Sequence, residues 1–250
     1  MMMPIRISRT IWGLIIACLG TFIIQKGSSQ FAGADLVGLL GLVPQAVAQG
    51  ALWQLLTYMF LHGDVGHLVL NLLMLAFIGS ELESVWGRRR FLLFYFFCGV
   101  VAALTYLALQ LAVWQANVPM VGASGGIYGL LLAYGLLFGE RVLLFMLLFP
   151  MKARHFIWVL VAVEFLTGLF SGSPGAALSS VAHLGGMLGG FGYLYGRGAW
   201  LVWKRKRESG ASSKRSRKAG KSHLKLVVNP DDREKEASKK SKDQDPPTWH

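Results

Sequence analysis

The sequence predicts an all-α, polytopic membrane fold, and three observations carry that prediction. Hydrophobic residues make up 54% of the 250 positions and charged residues only 15%. The apolar residues gather in six blocks close to the length of about 20 residues that crosses a bilayer as a helix. The basic residues sit in the gaps between alternate blocks, the pattern expected of loops that share one face of a membrane. Strands are not expected, because backbone groups in hydrocarbon must be satisfied within each segment or in a closed barrel. No repeat with a period of 20–50 residues is visible.

The first block, Ile11–Gln25, follows Arg6 and Arg9. A cleaved signal peptide would look similar, but "KGSSQ" after the apolar run offers no convincing small-x-small site, so an uncleaved helix is expected. The second, Val65–Ser84, carries polar groups in "LHGDVGHLVLNLL", and the third, Phe91–Val113, follows Arg88, Arg89 and Arg90. The fourth, Ser124–Phe138, opens with a serine among glycines. His155–Phe170 and Leu178–Gly196 complete the set. Cys18 and Cys98 lie inside the first and third blocks and are expected as buried thiols.

Arg141, Lys152, Arg154 and Arg197 fall on the same side as the arginines already named, and Lys26 alone falls on the other. Basic loops face inward, which places both termini in the cytoplasm of a cell whose plasma (inner) membrane holds the chain. The formal charge of +12 does not point to nucleic acid, because it is concentrated in one segment. Residues 204–250 carry 15 Lys and Arg against 7 Asp and Glu. They lack a core pattern apart from "HLKLVV" and read as a disordered cytoplasmic tail that meets anionic lipid. The chain is thus expected to divide into a membrane domain, 1–203, and a tail, 204–250.

Depths follow from a rise of about 1.5 Å per helical residue. From Ser124 to Glu140 is 16 residues, roughly 24 Å, against a hydrocarbon core of about 30 Å. Ser124 therefore begins its helix below the outer surface. The irregular stretch before it, 114–123, must dip into the membrane, which non-helical backbone does only inside protein or beside water. A wet cavity open to the outside is the consequence. His183, 14 residues before Arg197, lies at nearly the same depth, and so does Asn71, with His67 one turn above it. An intramembrane histidine is a functional candidate by default; a structural histidine bonded to a carbonyl is the alternative. Ala182, Gly186 and Gly190 form one small-residue face on the sixth helix, and Gly185 and Gly189 form another. Such faces let helices approach closely, and Gly125 and Gly129 offer a smooth surface on the fourth helix. Ser124 and His183 can thereby come within hydrogen-bond reach. His67 and Asn71, four residues apart, share a face; they read either as interhelical glue or as oxyanion donors.

Together these residues resemble the rhomboid intramembrane serine proteases. The resemblance covers most of Trp53–Gly196. It rests on Gly122-Ala123-Ser124-Gly125, on Ala182-His183 with Gly186 and Gly190, and on His67-x-x-x-Asn71, supported by Glu83 and by "FPMKA" at Phe149–Ala153. It implies a six-transmembrane-helix bundle that cleaves transmembrane segments of other membrane proteins near the outer interface. It implies Ser124 as nucleophile and His183 as general base, a dyad without an acid. His67, Asn71 and the Ser124 backbone amide would line the oxyanion hole, and Tyr128, beside the histidine, would line the substrate cavity with Gly122. No metal or cofactor is implied. Gly27–Gly63 resembles the family's membrane-embedded first loop, with Trp53-Gln54 where many members have Trp-Arg; that change is expected to loosen the loop. Ser180 stands where some members have asparagine.

The chemistry suits these residue types. A serine hydroxyl becomes a competent nucleophile when a base takes its proton, and histidine can return that proton to the leaving amine. The start of a helix offers free N–H groups to a developing oxyanion. Two other readings share the fold class: a catalytically silent binding protein, and a transporter using His67, His183 and Glu164. Glu164, within the fifth block, is the residue that favours the transporter, and bonding to a neighbouring helix is its structural explanation. Glu83 is expected to cap a neighbouring loop and His62 to stabilise the first loop.

Overall fold

The computed structural model describes residues 7–31, 33–114, 117–145 and 149–219. The chain divides into two units, residues 1–198 and 199–250. Ten α-helices are described: α1 (Arg9–Phe31), three short helices α2 (Leu36–Leu40), α3 (Pro44–Ala48) and α4 (Gln54–Thr57), then α5 (Val65–Met74) and α6 (Ser80–Trp86), α7 (Arg88–Leu109), α8 (Ser124–Leu137), α9 (Ala153–Phe170) and α10 (Pro174–Ala219). A π-turn at Leu75–Gly79 joins α5 to α6, making one rod, Val65–Trp86. Gly87, at φ +75°, ends that rod and its amide bonds Glu83 O, a positive-φ backbone that glycine adopts without steric cost. It turns the chain directly into α7.

Four of the described helices are long and apolar enough to cross a membrane: Arg9–Phe31, Val65–Trp86, Arg88–Val113 and Ala153–Phe170. Ser124–Leu137 is a shorter apolar helix, 14 residues long or about 21 Å. The sixth expected block forms the early part of α10, where glycines replace larger apolar residues and dilute the hydropathy. Large apolar side chains on these helices face outward, among them Ile16, Ile23, Leu70, Leu93, Phe97 and Leu169. A soluble protein would cover so much apolar surface; in lipid it is the solvated face. The chain is an integral membrane protein with a polytopic helical fold.

The core lies around α8, which buries Gly125, Gly126, Ile127, Gly129, Leu130 and Leu131 among others. Phe91, Phe94, Tyr95, Cys98, Ala102 and Ala103 of α7 are buried as well. The shortest apolar helix is therefore the most enclosed one. Cys18 and Cys98 are free thiols and buried.

Three features depart from the sequence reading. Strands were not expected, yet β1 (Val142–Phe145) pairs antiparallel with β2 (Phe149–Lys152), Val142 opposite Lys152 and Phe145 opposite Phe149. The prohibition on open sheet edges holds in hydrocarbon. This hairpin sits among charged residues: Glu140 is 2.8 Å from Lys152 and 2.5 Å from Arg154, and Arg141 pairs with Glu81.

The first loop is not loosened by Gln54. That side chain is buried; its Oε1 accepts from Val43 N (2.9 Å) and its Nε2 donates to Gly38 O (2.9 Å). Trp53 Nε1 donates to Leu39 O at 2.9 Å and the Thr57 hydroxyl to Leu40 O at 2.6 Å. An amide both donates and accepts, so it clamps the loop from both sides.

The last helix continues through Ala219, so the start of the segment expected to be disordered is helical. Within it Lys204 lies over the Trp200 ring and Arg207 over the Trp203 ring. "HLKLVV" falls outside the described residues. Glu83 accepts a hydrogen bond from the Ser8 hydroxyl, just ahead of α1.

Candidate active site

Ser124 opens α8 because the chain before it is held in place. Leu42 and Met120 exchange two backbone bonds of 2.9 Å, Gln45 N donates to Asn117 Oδ1 at 3.1 Å, and Gly122 N donates to Tyr58 O at 3.0 Å. Tyr106 OH donates to Val118 O at 2.6 Å and is itself bonded by Gln110 Nε2 at 3.0 Å. The irregular stretch expected before Ser124 thus finds its partners in the first loop and in α7, as buried backbone must. Gly122, at φ +129°, makes the final turn. A Cβ there would stand 2.6 Å from His67 Cε1 and 2.8 Å from its Nε2, so both conformation and space require glycine.

Across from it, α10 carries His183. Its Nε2 lies 2.8 Å from Ser124 Oγ. The glycine faces explain the approach. A Cβ on Gly186 would lie 2.1 Å from Gly125 O, and one on Gly190 would lie 3.3 Å from Gly129 Cα. The second face meets α7 instead, Gly185 against Thr105 and Gly189 against Val101. Gly125 and Gly129 serve a further neighbour: their missing side chains would strike Ala102 and Cys98 of α7, at 2.5 and 2.4 Å.

Tyr128, one turn along α8, stacks on His183 with ring centroids 4.1 Å apart and planes 7° from parallel. Its hydroxyl donates to Glu164 Oε1, and the same oxygen lies 3.1 Å from His183 Nδ1. Ser180 also faces the Glu164 carboxylate. From the sequence, Glu164 is an intramembrane carboxylate that either bonds to a neighbouring helix or serves a transporter, and it does bond to neighbouring helices, α8 and α10. The structure brings it to the histidine. The helical spacing of α9 relative to α10 would have been needed to see this.

His67 stands in the first turn of α5, where Asp64 caps the helix by accepting from His67 N at 2.9 Å. That amide holds the Asp64 carboxyl below the usual carboxylate range. The His67 ring covers Gly122 on the Ser124 side. Asn71 is buried, and its Nδ2 donates to His67 O at 3.0 Å. It is thus tied within its own helix, not across helices, with a second Nδ2 hydrogen to spare. His62 packs edge-on against His67, with ring centroids 5.3 Å apart. The Gln25 side chain grips its backbone, donating to His62 O at 3.0 Å and accepting from His62 N at 3.2 Å. Ser124, His67 and His183 are each half-buried, so the cluster is neither sealed nor on the surface. A serine hydroxyl, a histidine ring and a nearby asparagine amide therefore share one half-buried site.

A cavity of about 340 Å³ opens elsewhere, lined by Gln25, Lys26, Ser29 and Asp35. Neither Ser124 nor His183 lines it. Among the described residues, no three His, Cys, Asp or Glu side chains gather as a metal site.

The model of the rhomboid domain matches residues 49–200. The chain is 37% identical to Rhomboid-related protein 3 of Homo sapiens over 116 residues, 46% of this chain and 26% of that protein. It is 31% identical to rhomboid protease GluP of Bacillus subtilis (strain 168) over 147 residues, 58% of this chain and 26% of that one. With RHOMBOID-like protein 7 of Arabidopsis thaliana it shares 33% identity over 186 residues, 70% of this chain and 55% of that one. The chain spans between about a quarter and about half of the length of these relatives.

Proposed function

Because the chain belongs to the rhomboid family, we propose that it is an intramembrane serine endopeptidase that cleaves transmembrane segments of membrane proteins near the outer interface. The observation that carries the reading is the 2.8 Å approach of His183 Nε2 to Ser124 Oγ in a half-buried site built from helices of a membrane protein. Ser124 attacks the scissile carbonyl while His183 takes its proton. His183 then gives that proton to the leaving amine, and a water repeats the sequence on the acyl-enzyme. The oxyanion is received by the Ser124 backbone amide, by Asn71 and by His67. Each such donor is worth about 10²–10³ in rate. Tyr128 holds the imidazole plane, and with Gly122 lines the cavity that takes the substrate strand. No cofactor or metal takes part. The lipid bilayer is the surrounding partner, and the basic tail meets its anionic headgroups; nucleic acid is not a partner. Both termini face the cytoplasm of the plasma membrane.

The test uses purified chain in liposomes with a single-span model substrate and a serine-directed fluorophosphonate. Wild type should cleave and label at Ser124. Ser124→Ala and His183→Ala should stay folded, and each should lose cleavage. A wild-type chain that neither labels nor cleaves supports instead a catalytically silent binding protein, or a transporter.

A further inference from the structure

We infer that Glu164 is a positioning residue for His183, so that the site works as a Ser124–His183–Glu164 triad rather than as an isolated pair. The inference rests on the protease reading and deepens it. Glu164 lies in the middle of α9, within a membrane span, and is only 7% exposed. A carboxylate at such depth is costly unless it is engaged, and it is engaged by Tyr128, by His183 and by Ser180, which lies about one turn before the histidine on α10. Its Oε1 receives the Tyr128 hydroxyl and lies 3.1 Å from His183 Nδ1. Four groups face the imidazole: Ser124 and Tyr128 from α8, Glu164 from α9 and His67 from α5.

The consequence is a choice of tautomer. A neutral imidazole carries one N–H and one bare nitrogen. A carboxylate oxygen can only accept, so its place beside Nδ1 favours the tautomer with hydrogen on Nδ1. Nε2 is then bare and faces the Ser124 hydroxyl at 2.8 Å. On attack, the Ser124 proton passes to Nε2, the serine oxygen bonds the carbonyl carbon, and the carbonyl π pair moves to oxygen. His183 becomes an imidazolium with a carboxylate 3.1 Å away, and Glu164 takes no proton itself. In a poorly solvated site that opposite charge counts for more than it would in water.

The resting contact is close but not aligned: Nδ1 has no hydrogen bond of good direction. The Tyr128 ring stacked on His183 explains this, since the same Tyr128 hydroxyl draws Oε1 toward itself. Catalytic hydrogen bonds often tighten only when substrate is bound. Tyr128 therefore has two tasks, fixing the imidazole plane and anchoring the carboxylate.

Glu164→Gln keeps the shape and the Tyr128 bond while removing the charge. In purified full-length protein, we expect an unchanged melting temperature, a nearly unchanged KM and a kcat lower by roughly 10- to 10³-fold. Glu164→Asp should recover part of the loss. A purely structural role would lower stability and leave the kcat of the folded fraction alone, and that result overturns the inference. A second measurement needs no Glu164 variant. ¹⁵N-histidine-labelled wild type in micelles, with His183 assigned against His183→Asn, should show hydrogen on Nδ1. Hydrogen on Nε2 in the resting enzyme overturns the inference even if Glu164→Gln fails to fold. Wild type that is inert toward substrate and probe overturns the protease reading itself. Wild type that is active beside an equally active Glu164→Gln removes only Glu164.

Discussion

Asn71 has one amide hydrogen engaged with His67 O, and in the proposed mechanism the other meets the substrate oxyanion. Asn71→Ala should therefore lower kcat by roughly 10- to 10³-fold while fluorophosphonate labelling of Ser124 persists, because the serine amide remains a donor. Cleavage at the wild-type rate would assign Asn71 to the helix alone. His62 supports a different kind of prediction. Its imidazole is buried, and burial, aided by neighbouring His67, pushes it down from 6.5 to about 4. The fold thus holds the neutral ring, and the unfolded chain binds its proton first as pH falls. The stability that results is complete above pH 6.5 and is lost as pH drops toward 4, by at most about 3 kcal/mol. Melting temperatures of wild type and of His62→Leu should diverge across that window, the wild type falling faster. Parallel curves would show that His62 does not titrate on unfolding.

At the scale of helices, the Ser–His distance depends on bare backbone meeting bare backbone. A side chain on Gly186 would drive into Gly125 O, at 2.1 Å from its Cβ, and a backbone carbonyl cannot step aside as a flexible side chain can. Gly186→Val should cost about 1–3 kcal/mol in stability, leaving a folded protein. The cost in catalysis should be larger, since a displacement of about 1 Å can lower the rate 10²-fold. Wild-type labelling and cleavage by this variant would mean that other contacts set the distance. This part of the fold was legible in the sequence, because small residues three and four apart have one common use in membrane helices. The short fourth helix was legible for a similar reason: its length is a count. The second duty of Gly125 and Gly129, toward α7, was not, since a glycine does not say which neighbour needs the room. Nor was the clamp at Gln54, whose partners Val43 and Gly38 are set by how the loop folds back. Glu164 was visible as an anomaly, and its partners were not, because no periodicity within α9 tells which side faces α10.

At the scale of the whole molecule, if the protease reading holds, the side of the membrane on which Ser124 opens decides which compartment supplies water and substrate. The first loop and the start of α8 belong to one side, since Leu42 bonds Met120 and Tyr58 bonds Gly122. Gln30, near the end of α1, leads into that loop. Ser84, at the far end of the rod Val65–Trp86, belongs to the other side, next to Arg88, Arg89 and Arg90. The charge pattern leads to the expectation that the arginine-rich ends face the cytoplasm, with Lys26 the lone cation of the opposite set. Lys26 is also engaged there, donating to Gly63 O at 2.8 Å and lying over the Phe22 ring, so it exerts little pull on orientation. Single cysteines can read this directly, because the native thiols Cys18 and Cys98 are buried and should give little background. Gln30 and Ser84 are both exposed. Gln30→Cys should react with a membrane-impermeant maleimide on intact cells, and Ser84→Cys only after permeabilisation. The reverse pattern would turn the molecule over. It would place Ser124 toward the cytoplasm, and substrates would then have to be sought among segments near the inner interface.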